Sequence, residues 1–191
     1  MNRVLLPLIA LLLCGCASGT AQHFYQLAAP TAPLPATADG PAVLLGPLQL
    51  ADYLQRENLL QRQSDQRLEI SPDQRWAGSL QDDIGNLLLS TLASRLHSGN
   101  LALYPDRIGF AADAQLILHI TRLDSGPQQP AVLQARWRLL DGTGEQRDGD
   151  LLQLEQSHDG SLEGQVAAQG QLVVRLGERL AQAIKALPTR S

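Results

Sequence analysis

From Leu133 to Leu139 the chain alternates without a break. Leu133, Ala135, Trp137 and Leu139 are apolar, while Gln134, Arg136 and Arg138 are polar. A period of two is the mark of a β-strand with one dry face and one wet face. A sheet of such strands cannot stand alone, because its dry face has to be covered by something equally one-sided. The chain supplies two covers. Trp76, Leu80, Ile84, Leu87, Leu88, Leu92 and Leu96 fall in steps of three and four, and so do Val173, Leu176, Leu180, Ile184 and Leu187 behind Val166. Steps of that size trace one face of a helix. The pattern predicts an α+β fold: a two-layer sandwich with a mostly antiparallel or mixed sheet and two long helices on one face.

The remaining segments fill in that plan. His23–Leu27 reads as a first strand. A loop follows over 28–41, with Pro30, Pro33, Pro35 and Pro41 removing backbone donors. Ala42–Leu50 suits a buried strand, with Gly46-Pro47 at a bulge or an edge. Leu59–Gln63 and Arg67–Ile70 pair as a short hairpin. Ser71-Pro72-Asp73 has turn chemistry and is expected to start the first helix, which Ser98-Gly99-Asn100 ends. Asp113–Leu123 is a strand with Ala114, Leu116, Leu118 and Ile120 on its dry face. Asp141–Gly144 is a turn, Asp150–Ser157 the last strand, and Asp159-Gly160-Ser161 the start of the last helix, stopped by Pro188. Aromatic residues make up only 4% of the chain, so Leu, Val, Ile and Ala must fill the core. Trp76 and Trp137 are expected to anchor it.

The N-terminus has its own logic. Arg3 gives a positive start, and Val4–Leu13 is an apolar run too short to cross a bilayer, which takes about 20 residues. Leu13-Cys14-Gly15-Cys16 then resembles a lipobox. Cleavage between Gly15 and Cys16 would leave the Cys16 thiol to take a diacylglyceryl group. Cys14 would leave with the peptide, and the mature chain could form no internal disulfide. Ala17 is not Asp, which by analogy with enterobacterial lipoproteins favours outer-membrane sorting. The expected organisation is a signal peptide over 1–15, a lipidated tether over 16–22, one domain over 23–187 and a tail over 188–191.

The charge narrows the function. The full chain carries −4 from 15 Lys+Arg against 19 Asp+Glu; without Arg3 the balance becomes 14 against 19, or −5. No basic run is present, which argues against a nucleic-acid partner. His23, His97, His119 and His158 do not stand at metal-ligand spacing, and no G-x-S-x-G elbow or phosphate-cradling glycine loop occurs. Asp82 and Asp83 are neighbours on a helix and point apart. The expectation is a protein that is not an enzyme, with no metal and no cofactor beyond the covalent lipid on Cys16.

Six short segments resemble, in order, the ABC-type transport auxiliary lipoproteins, the PqiC-like family. They are Phe24-Tyr25-Gln26-Leu27, Leu50-Ala51-Asp52-Tyr53-Leu54-Gln55-Arg56, Leu59-Leu60-Gln61-Arg62, Arg75-Trp76-Ala77-Gly78-Ser79-Leu80, Tyr104-Pro105 and Leu133–Leu139. Ala51 stands where the family usually has Pro, and Gln55 where it usually has Asp. The resemblance implies a non-enzymatic, lipid-anchored accessory subunit of an MCE/ABC-type envelope lipid-transport system. Such a subunit would dock an MCE-domain protein and its membrane subunits at the outer membrane, and a homo-oligomeric ring is plausible. The partner surface is expected on the wet sheet face around Arg136 and Arg138, or near Tyr53 and Arg56. Two rival readings make other demands. A stand-alone lipid-binding lipoprotein needs a sizeable apolar cavity between sheet and helices, and a periplasmic hydrolase needs a converging nucleophile and base.

Overall fold

The computed structural model describes residues 21–28, 40–106 and 108–188. The leader, Gly15, Cys16, Ala17, most of the proline-rich loop and residues 189–191 lie outside the described residues. The elements run β1 (His23–Tyr25), β2 (Val43–Leu50), a 3-10 turn (Asp52–Gln55), β3 (Asn58–Ser64), β4 (Arg67–Trp76), α1 (Leu80–Leu96), β5 (Leu101–Leu103), β6 (Ala114–Gly126), β7 (Gln129–Asp141), β8 (Gln146–Gln156) and α2 (Leu162–Lys185). This is the expected α+β sandwich, with a mixed sheet.

β6 is the spine. Along one edge it pairs antiparallel with β7, and β7 with β8, as the short connections between them suggest. Its other edge is shared. β2 runs parallel to the half from Ala114 to Ile120, and β3 meets the far half at Gln61 and Ser125. β5 extends the sheet beyond β2, and β4 and β1 extend it beyond β3. At Gly126 the approach of β3 is so close that a Cβ would fall 1.8 Å from the Arg62 carbonyl oxygen, which only glycine avoids.

Both helices cover the same face. Ile84, Leu88 and Leu92 of α1 and Leu172, Leu176 and Leu180 of α2 are fully buried against Leu45, Leu116, Leu118, Leu133 and Leu139. Buried side chains of both helices and the sheet form one continuous apolar cluster. The helices touch where Gly177 lets Thr91 in; a Cβ there would lie 2.8 Å from the Thr91 methyl. Each helix begins with a serine cap, Ser79 accepting from the Asp82 amide and Ser161 from the Gly164 amide. α1 ends at His97, which takes the left-handed conformation (φ 52°) that usually falls to glycine.

The expected helix start is corrected. Ser71, Pro72 and Asp73 lie inside β4, and α1 begins at Leu80. The register of β3 with β4 jumps from Asn58↔Arg75 to Leu60↔Ile70, so residues 71–74 have no register partner on β3 and Pro72 has no ladder bond there to lose. Trp76 ends β4 and does not belong to the helical stripe, although it is buried in the core as expected. Gly46-Pro47 does mark a bulge, between Leu45 and Leu48 of β2.

Candidate functional site

The wet sheet face is built by alternation. β6 sends Ile117 and His119 outward, and β7 sends Arg136 and Arg138 outward, with His119 opposite Arg136 and Ile117 opposite Arg138. Pro47 and Gln49 of β2 complete a shallow cleft against these side chains. Among the described residues, neither arginine has an acidic partner. Next to them on β8, Leu151 stands 74% exposed, opposite Arg136. This face therefore offers two free guanidinium groups beside apolar surface, in a chain of net negative charge.

Tyr53 and Arg56 occupy two other places. Tyr53 sits on the 3-10 turn with its hydroxyl directed inward, donating to Asp124 Oδ2 at 2.9 Å. Asp124 is 1% exposed and is the centre of a charged cluster that sequence reasoning did not find. Arg62 grips it with two bonds, Nε to Oδ1 at 2.7 Å and Nη2 to Oδ2 at 2.8 Å, and Arg122 Nε reaches Oδ1 at 3.0 Å. Burial pushes the Asp124 carboxyl upward, but the bonds from Arg62 and Tyr53 and the charge of Arg122 outweigh it and hold the group below its usual range. Burial, together with the Asp124 charge, drives the Tyr53 hydroxyl well above its usual value, so it stays a donor. The cluster ties the 3-10 turn and β3 to the end of β6. On the other side of the same strand end, Ser125 Oγ accepts from Gln169 and donates to Gln165, both on α2.

Arg56, by contrast, is exposed, and no described residue pairs with it. It lines a cleft of about 530 Å³ with Phe24, Arg75, Trp76, Gly78 and Ser79. Phe24 and Arg75 are register partners on β1 and β4. Glu57 approaches Arg75 at 3.5 Å. Three of the sequence segments singled out above, those beginning at Phe24, Leu50 and Arg75, thus meet at one end of the sheet. Ala51 has φ −55° and ψ 145°, the backbone a proline would adopt, so alanine leaves the turn unchanged. Gln55 donates to the Leu50 carbonyl at 3.1 Å, closing the same turn from its other end.

A model of the ABC-type transport auxiliary lipoprotein component matches residues 25–181. The chain belongs to that family. The auxiliary lipoprotein fold is matched by solved structures at low identity. One is an uncharacterized protein, 20% identical with a TM-score of 0.68, covering 86% of this chain and 99% of its own. Another is a Xanthomonas campestris protein of the DUF330 family, 14% identical with a TM-score of 0.68, covering 85% and 94%. These likenesses concern the fold. No curated protein matches the chain significantly. As a family member, the protein is a component auxiliary to ABC-type transport. Among the described residues, no helix is long and apolar enough to cross a membrane.

Proposed function

We propose that this auxiliary lipoprotein is held by an acylated Cys16 on the periplasmic face of the outer membrane and docks an MCE-domain transporter there. In this reading it acts as a scaffold and catalyses nothing. The observation that carries the reading is the family match over 25–181 directly behind a lipobox. Two properties of the domain support it. The core is one continuous apolar cluster, as a rigid adaptor requires. The wet face offers Arg136 and Arg138 without acidic partners among the described residues, suited to an acidic surface on another protein. A ring of several copies would multiply that contact around a tube.

The test is capture from native envelopes of a host that encodes an MCE protein. Cross-linked, acylated protein should bring down MCE and permease subunits from the outer-membrane fraction. Cys16→Ala should release the protein to the soluble periplasm and lower the yield. Recovery of the wild type in the inner-membrane fraction would refute the location, and envelopes yielding no transporter subunit would refute the docking role.

A further inference from the structure

We infer that the cleft holding Phe24, Arg56 and Arg75 is a membrane-contact surface, seating phospholipid headgroups of the bilayer in which Cys16 is anchored. The inference rests on the acylation proposed above. Residues 16–22 form the whole connection between the lipid and β1. Seven residues extend at most about 25 Å, so β1 and its neighbours must stay close to the headgroups. The strand nearest the anchor also carries the chemistry of an interfacial contact. Phe24 is 62% exposed, an unusual position for one of only two phenylalanines in the chain. Phe24 is the register partner of Arg75, and both line the cleft with Arg56, which has no described partner. An aromatic ring and two arginines in one cleft suit the zone where acyl chains give way to phosphates.

Charge selects the occupant. Arg56 and Arg75 face one lining acid, Glu57, so the cleft is left with a net positive charge in a chain that is negative overall. The Arg75 side chain is about one third exposed, with Nη1 toward Glu57, so part of its guanidinium is open to the cleft. The wet face around Arg136 and Arg138 is a separate surface and is left open to the transporter. The two arginine sites would then divide the labour: one leans on the bilayer and the other holds the partner.

Photo-crosslinking in native envelopes tests this. A photoreactive phenylalanine analogue is placed at Phe24 or, for comparison, at Leu151, the exposed leucine of the wet face. Both are used in the full-length protein after mass spectrometry has verified acylation of Cys16. Position 24 should give phospholipid adducts and position 151 should not. Arg56→Gln should lower the adduct yield at 24 about fivefold, the share of one basic residue near an anionic surface. Protein adducts at position 24, no adduct there, or equal lipid labelling at both positions would each overturn the inference. The docking proposal fails separately, by loss of transporter capture while lipid adducts at 24 persist.

Discussion

The two halves of β6 are stabilised by different physics. From Ala114 to Ile120 the strand buries Ala114, Leu116, Leu118 and Ile120 under the helices and pairs with β2. From Leu123 to Gly126 it buries Asp124 and Ser125, and its neighbour is β3. A bulge separates them: Ile120 pairs with Ala135 and Arg122 with Gln134, so Thr121 is the extra residue. Without it, Arg122 would point into the core and Leu123 out of it. The bulge resets the alternation and lets a charged cluster form on the side away from the helices. Apolar burial tolerates many partners, whereas Asp124 accepts only the strand that brings Arg62. The polar half thus specifies which hairpin joins the spine, and the apolar half supplies most of the burial.

The comparison breaks most sharply at Asp124. Asp124→Ala leaves Arg62, itself only 11% exposed, without its counter-charge. The expected loss is about 4 kcal/mol in urea unfolding, the cost of stranding a buried charge. Replacing Asp124 and Arg62 together by Leu and Met should cost less than the single change, since no charge is then stranded. The pH dependence follows from the direction of the shift. The carboxyl is held below its ordinary 3.8 in the folded state, so its contribution is complete above that pH. It is lost as the pH falls through the folded value. Asp124→Asn should remove that share of the acid sensitivity, read as a flatter stability curve below pH 4. An unchanged acid limb in the variant would mean that the cluster is not what acid attacks.

In the apolar half, Leu118→Ala should cost about 3 kcal/mol, through lost transfer energy and the cavity left behind. Its effect should add to that of Asp124→Ala, because the bulge lies between the two sites. Strong coupling would show that the halves form one unit. A smaller effect is expected at Ser161, the cap of α2, where alanine should cost about 1 kcal/mol in thermal or urea unfolding. Since α2 covers both halves, that loss should fall on the whole domain as a single transition.

The same contrast explains how far the sequence could be read. α2 was legible from its cap at Ser161 to its end near Pro188, because capping and periodicity are local properties. The dry faces of β6 and β7 were legible for the same reason. The helix start at Ser71-Pro72-Asp73 was a false signal. Serine followed by proline is good N-cap chemistry, but tertiary pairing placed it in a stretch of β4 with no register partner on β3. Trp76 lies four residues before Leu80, so a strand residue fell by accident into the helical phase. Asp124 was invisible because its partners Arg62 and Tyr53 stand 62 and 71 residues away, and nothing local marks a charge that is to be buried. Of the residues expected at a partner surface, Arg136 and Arg138 share the wet face, Arg56 lies in the cleft near β1, and Tyr53 has its hydroxyl engaged inside.

The smallest effect on stability is expected where the functional effect should be largest. Arg136 and Arg138 sit in the same strand as Trp137 and Leu139 but project to the opposite side, where neither has a described partner. A double change to Glu should therefore alter stability by no more than about 0.5 kcal/mol. If an acidic surface of the transporter docks there, the same change sets like charges against each other and should abolish capture from envelopes. Retained capture by a stable double variant would remove the wet face as the docking surface. A variant that unfolds would teach something else: that these arginines belong with Asp124, as charges the fold itself depends on.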